Sequence, residues 1–181
     1  VQDVADALRG VDVPVLIKNP INPDIELWIG AAERVAKAGI KTIGLIHRGF
    51  SSYGNTEYRN APMWHLAIEM KRRYPEMMMI NDPSHICGRR DILQEVAQTA
   101  MDLDFDGLII ESHSDPDMAW SDAKQQVTPE RLAEMLDSIR WRKEDIASDE
   151  YHANLEKLRQ QINQLDDELM QIISQRMKVA E

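Results

Sequence analysis

Three residues able to ligate a divalent cation each stand just past an apolar run. His85 closes Ile80-Asn81-Asp82-Pro83-Ser84-His85, Glu111 follows Gly107-Leu108-Ile109-Ile110, and Asp122 lies beyond it in Ser121-Asp122. One imidazole and two carboxylates suit an ion of intermediate hardness such as Mn²⁺, Fe²⁺ or Zn²⁺. Taken singly, the same residues also read as a surface histidine and as acids that cap helices. They become a set because each stands where a buried strand would release its chain.

Two further runs end in a base: Val15-Leu16-Ile17-Lys18 and Ile43-Gly44-Leu45-Ile46-His47-Arg48-Gly49. A lysine directly after three apolar residues is costly to place unless an anion meets it. Arg48 precedes a glycine, where the chain can turn sharply and the guanidinium can grip a phosphate with two hydrogen bonds. Carboxylates at the rim of the sheet would satisfy both cations as well. Arg89-Arg90 is expected to begin a helix after Gly88, where cations oppose the helix dipole unless an anion or solvent faces them. Cys87 is read as a buried thiol and not as a ligand.

The elements needed to position these residues alternate. Strands are expected at 13–17, 42–46, 77–80 and 107–110. Helices are expected at 22–37 (Asn22 as cap, Pro23 in the first turn), 62–74, 89–101 and 129–139, the last opened by Thr128-Pro129-Glu130. Residues 50–60 are polar and read as a long loop, of the kind that is functional or mobile. The runs are continuous and not alternating, so the strands are parallel and covered by helices. Four such units make half of a (β/α)₈ barrel, whose active-site mouth lies at the C-terminal ends of the strands. The other half, or a second copy, would have to close the two edges.

The chain has 181 residues, of which 43% are hydrophobic, enough for one cored domain with an appendage. A formal charge of −10 and a pI near 5.0 argue against a nucleic-acid or membrane-surface role. A single cysteine permits no internal disulfide and fits a reducing cytoplasm, and no apolar run is long enough to span a membrane. Residues 1–10 read as an amphipathic helix already under way, so a longer parent protein is expected.

After residue 140 the composition changes. Residues 141–153 read as a charged linker, and 154–181 as one helix. Its apolar seam is Leu155, Leu158, Ile162, Leu165, Leu169 and Ile172, spaced alternately by three and four.

Taken together, Pro14-Val15-Leu16-Ile17-Lys18-Asn19, His47-Arg48-Gly49, Asp82-Pro83-Ser84-His85 with Gly88-Arg89-Arg90, Glu111-Ser112-His113 with Asp115-Pro116, and Ser121-Asp122-Ala123-Lys124-Gln125 resemble the second half of the shorter bacterial 3-deoxy-7-phosphoheptulonate (DAHP) synthases. The resemblance covers residues 1–139. It implies a (β/α)₈ barrel that condenses phosphoenolpyruvate with erythrose 4-phosphate, using a divalent metal (Mn, Fe, Zn or Co). His85, Glu111 and Asp122 would then bind the metal. Lys18 and Arg48 would hold phosphoenolpyruvate, with His85 close by, and these three would be the catalytic residues. The family's cysteine ligand and its arginine–lysine phosphate motif have no counterpart here. This chain alone would therefore not be a competent synthase.

The tail, Leu158-Arg159-Gln160-Gln161-Ile162 through Leu165, Leu169 and Ile172 to Arg176-Met177, resembles the start of the first helix of the all-helical chorismate mutases. That implies Arg159 and Arg176 as binders of chorismate or prephenate carboxylates, and a homo-oligomer, at least a dimer. The expected organisation is a half barrel at 1–140, a linker at 141–153 and a mutase-like helix at 154–181. The competing readings are a non-catalytic half barrel that docks and regulates, or a related synthase joining phosphoenolpyruvate to another sugar phosphate.

Overall fold

A computed structural model describes residues 1–54, 57–141 and 149–180. It divides the chain into two units, Val1–Arg142 and Lys143–Glu181.

The first unit is built on four parallel strands in the order β1 (Val15–Lys18), β2 (Ile43–His47), β3 (Met78–Asn81) and β4 (Gly107–Leu108). Sequential order with parallel pairing requires a crossover between each pair of strands. The crossovers are α2 (Ile25–Lys37), α3 (Trp64–Arg73) and α5 (Leu93–Asp102). A short helix α1 (Gln2–Ala7) precedes the sheet, and α6 (Pro129–Ser138) follows it.

Register puts Ile17, Leu45 and Met79 in one row, all buried beneath the helices. Trp28 of α2 is fully buried, and its indole Nε1 donates to Ile17 O at 3.2 Å. Truncating such a side chain costs about 3–5 kcal/mol. The adjacent row is Leu16, Gly44 and Met78, with Leu16 and Met78 half-exposed. A Cβ on Gly44 would meet Leu16 Cδ2 at 2.6 Å, so the glycine makes room for the larger neighbour.

Several elements differ from expectation. α2 is capped not by Asn22 but by Asp24, whose carboxylate accepts from Glu26 N and Leu27 N. Asp82-Pro83-Ser84-His85 is not a plain loop: Asp82 caps a short helix, α4 (Pro83–Cys87), with Pro83 in its first turn. Arg89 and Arg90 therefore fall between two helices, and α5 starts at Leu93. α3 starts at Trp64 and not Pro62, because Met63 takes a left-handed φ of 40°. Thr128 caps α6 as expected, its hydroxyl accepting from Arg131 N.

In the second unit the helix α7 (Asp149–Ala180) is longer than expected and takes in residues assigned to the linker. Of the linker's other residues, 142–148 lie outside the described residues. Among the described residues, no helix is long and apolar enough to cross a membrane.

Candidate active site

Parallel strands bring their C-terminal ends to one edge of the sheet. Lys18, His47 and Asn81 are the last residues of β1, β2 and β3, and Glu111 follows β4 closely. Past β4 a parallel bridge pairs Ser112 with Val127. Val127 N donates to Glu111 O, so the segment holding Asp122 is tied to the segment holding Glu111.

His85, Glu111 and Asp122 each offer a ligand atom within 4.8 Å of the others. The three donors proposed from sequence thus meet at one point. His85 sits on α4. Its Nδ1 lies 2.9–3.0 Å from the Asp82 carboxylate, and its Nε2 lies 3.8 Å from Glu111 Oε1. A carboxylate on one imidazole nitrogen fixes the tautomer and frees the other nitrogen for a cation. Glu111 Oε2 accepts from Gln125 Nε2 at 2.8 Å, and Glu111 N donates to Ser84 Oγ at 3.0 Å. Asp122 has a left-handed φ of 51°, a conformation aspartate tolerates better than most residues. Hydrogen bonding to the Arg59 guanidinium holds its carboxyl below the usual range, and the nearby charges of Arg59, His85 and Lys18 act in the same direction. An imidazole and two carboxylates at these separations fit a divalent cation.

Lys18 Nζ donates to Asp82 Oδ2 at 2.9 Å, so the rim-carboxylate partner weighed for it is present. Arg48 is organised differently. Asn19 is buried, and its Oδ1 accepts from Arg48 N at 2.7 Å while its Nδ2 donates to Gly49 O at 2.8 Å. Gly49 has a φ of 76°, and a Cβ there would come within 2.7 Å of Asn60 O, so only glycine fits. The buried Arg48 Nε has no hydrogen-bond partner among the described residues. A buried guanidinium nitrogen left this way is a donor awaiting an acceptor.

Cys87 is a buried free thiol whose pKa burial pushes up to about 12, and it is not among the three donors that converge. Arg90 donates to Gln126 O and Ala123 O and pairs with Asp117, bracing the segment that carries Asp122. A cleft of about 590 Å³ lies beside Arg90, Asp117, Thr128 and Arg131, and none of the three cation donors lines it. Arg159 and Arg176 both lie on α7 in the second unit and are exposed.

Sequence reasoning missed Asp82, Arg59 and Gln125. Asp82 carries a cap signal, an acid directly before a proline. Arg59 and Gln125 lie in irregular segments and carry no periodic signal.

The family model described as the DAHP synthetase I family matches residues 2–148. A phospho-2-dehydro-3-deoxyheptonate aldolase of Thermotoga maritima is 29% identical over 127 residues, which cover 70% of this chain and 37% of that protein. A solved truncated form of 3-deoxy-D-arabino-heptulosonate 7-phosphate synthase from Thermotoga maritima superposes with a TM-score of 0.69 at 28% identity, over 75% of this chain and 51% of its own. A crystal structure of the Thermotoga maritima phospho-2-dehydro-3-deoxyheptonate aldolase (DAHP synthase) gives a TM-score of 0.63 at 31% identity, over 68% and 36% respectively. The chain therefore spans between about a third and a half of the length of these relatives. With its parallel α/β sheet and a match over most of its length, the chain belongs to the DAHP synthetase I family.

Proposed function

We propose that this chain supplies the metal-binding and phosphoenolpyruvate-binding half of a DAHP synthase, which joins phosphoenolpyruvate to erythrose 4-phosphate. The observation that carries this reading is the meeting of His85, Glu111 and Asp122 within 4.8 Å at the strand ends. These three residues would hold the divalent ion. The chemistry such an ion supplies when bound is polarisation of the sugar aldehyde. Lys18 and Arg48 would bind the carboxylate and phosphate of phosphoenolpyruvate, and the orphaned Arg48 Nε supports that role. Fixing both charged groups orients the enol carbon, and positioning of this kind contributes a large share of rate enhancement.

The second unit adds a chorismate mutase reading. It rests on the resemblance of residues 158–177 and on a single long helix carrying Arg159 and Arg176. The two arginines would bind substrate carboxylates, in an assembly of at least two chains.

The test is His85→Ala in a protein with measurable DAHP formation. Turnover should vanish and metal affinity fall, with the fold unchanged. Wild-type turnover in the variant would sink the assignment. A parallel assay with arabinose 5-phosphate separates this reading from a synthase for another sugar phosphate. A chain that binds no metal and supports no turnover would instead be the docking partner.

A further inference from the structure

Arg59 lies outside the helices and strands, yet its main chain is fixed. Arg59 N donates to Cys87 O, Asn60 N to Ile86 O, and Asn60 Nδ2 to His85 O. The seat is close: a Cβ on Gly88 would lie 2.6 Å from Arg59 Cβ. The base of this side chain therefore rests on α4, the helix that carries His85.

Its tip spans the other two donors. Arg59 Nη1 lies 2.6 Å from Asp122 Oδ1 and 2.7 Å from Gln125 Oε1, and Gln125 Nε2 lies 2.8 Å from Glu111 Oε2. Gln125 is 1% exposed, so the amide that joins Arg59 to Glu111 is sheltered from competing water. In each donor one atom is taken and another is left. Asp82 takes His85 Nδ1, Gln125 takes Glu111 Oε2, and Arg59 takes Asp122 Oδ1. Among the described residues, His85 Nε2, Glu111 Oε1 and Asp122 Oδ2 make no hydrogen bond.

We propose that Arg59 is a positioning residue of the cation site, holding Asp122 directly and Glu111 through Gln125 in the arrangement a divalent ion requires. This rests on the metal reading of the site. A guanidinium beside Asp122 also repels an incoming cation. The side chain is 49% exposed, however, so solvent screens its charge, and orientation of the two carboxylates prevails.

The experiment is Mn²⁺ titration of the 181-residue chain by calorimetry, with unfolding followed in the absence of metal. Arg59→Gln should weaken Mn²⁺ binding about 10- to 100-fold, the usual effect of removing a residue that orients a ligand. Arg59→Lys should recover part of the loss, because an ammonium can still donate to Asp122, but on a shorter side chain without the planar guanidinium whose Nη1 meets both acceptors. Should Arg59→Gln fail to fold, Gln125→Ala breaks only the arm to Glu111 and should weaken Mn²⁺ about 10-fold. Wild-type or tighter affinity in the folded variants overturns the proposal. A wild-type chain that takes up no Mn²⁺ overturns the metal reading, and this inference with it.

Discussion

Lys18 Nζ lies 2.9 Å from Asp82 Oδ2, although β2 separates the strands that deliver these two residues. The same oxygen lies 2.9 Å from His85 Nδ1. One carboxylate, 2% exposed, therefore links the base proposed to meet phosphoenolpyruvate with the imidazole proposed to meet the metal. The register explains the reach. Lys18 is level with Ile46, and Ile46 with Ile80, so Asp82 stands two residues above the row of Lys18.

Asp82→Ala should weaken both arms at once. It removes the acceptor that orients His85, and it removes the cap on α4, where Asp82 Oδ1 accepts from His85 N at 3.1 Å. Loss of the cap costs about 1 kcal/mol, and loss of the orienting carboxylate about 10- to 100-fold in metal affinity. Asp82→Asn keeps an acceptor for the cap but loses the charge that meets Lys18, so its unfolding midpoint should fall less than that of Asp82→Ala while metal affinity still falls. Equal metal affinity in wild type and both variants would show that His85 needs no orientation.

His47 is buried among Phe50, Trp64 and Phe105, with ring centroids 5.1–5.9 Å away. Its Nε2 donates to Pro62 O at 2.6 Å, which leaves Nδ1 to accept from Asn81 Nδ2 at 3.0 Å. Burial lowers its pKa from 6.5 to about 4, against smaller opposing effects of Pro62 O and Asp82. Below pH 6.5 the unfolded chain takes a proton that the folded one refuses, so stability falls as pH drops from about 6.5 to about 4. The loss approaches about 3 kcal/mol at the acid end. Urea unfolding at pH 7 and pH 4.5 should show it, and His47→Phe should remove this part of the pH dependence. An unchanged difference between the two pH values in His47→Phe would assign the effect to other groups.

Gly88 has a φ of 64°, and a Cβ there would press on Arg59 at its Cβ (2.6 Å) and Cδ (3.0 Å). Gly88→Ala should cost about 1–2 kcal/mol for the left-handed backbone alone. It should also displace Arg59 and weaken Mn²⁺ binding in the direction of Arg59→Gln. Chemical denaturation and metal titration read the two effects separately. Loss of stability without loss of affinity would show that Arg59 tolerates displacement.

Much of this arrangement was legible in the chain because the signals were local. The apolar runs just before Lys18, His47 and Asn81 marked parallel strands, and polar residues directly after such runs had to gather at one edge. Thr128-Pro129-Glu130 marked a helix start because cap, proline and acid coincide. Asn22-Pro23 misled because Asn and Asp cap equally well, and the choice fell to Asp24. α4 was missed because five residues are too few to show a helical period. Arg59 was missed because its place is set by contacts with Cys87, Asp122 and Gln125, all distant in sequence.

The arginines of α7 make a prediction of a different kind. Arg159 and Arg176 stand seventeen positions apart on one helix, about 26 Å along its axis and about 100° around it. A small dicarboxylate cannot reach both, so under the mutase reading each must serve a separate pocket completed by another chain. Arg176→Ala should then lower chorismate turnover about 10- to 100-fold, the effect of losing one hydrogen bond to a charged group. DAHP formation should be unaffected. Arg159→Ala should do the same. Mixing the two variants should restore part of the activity, because a hybrid dimer contains one pocket with both arginines intact. Chorismate loss measured before and after mixing checks this. No recovery in exchanged dimers would mean that the two arginines do not meet across chains, and unchanged turnover in both single variants would remove the mutase reading.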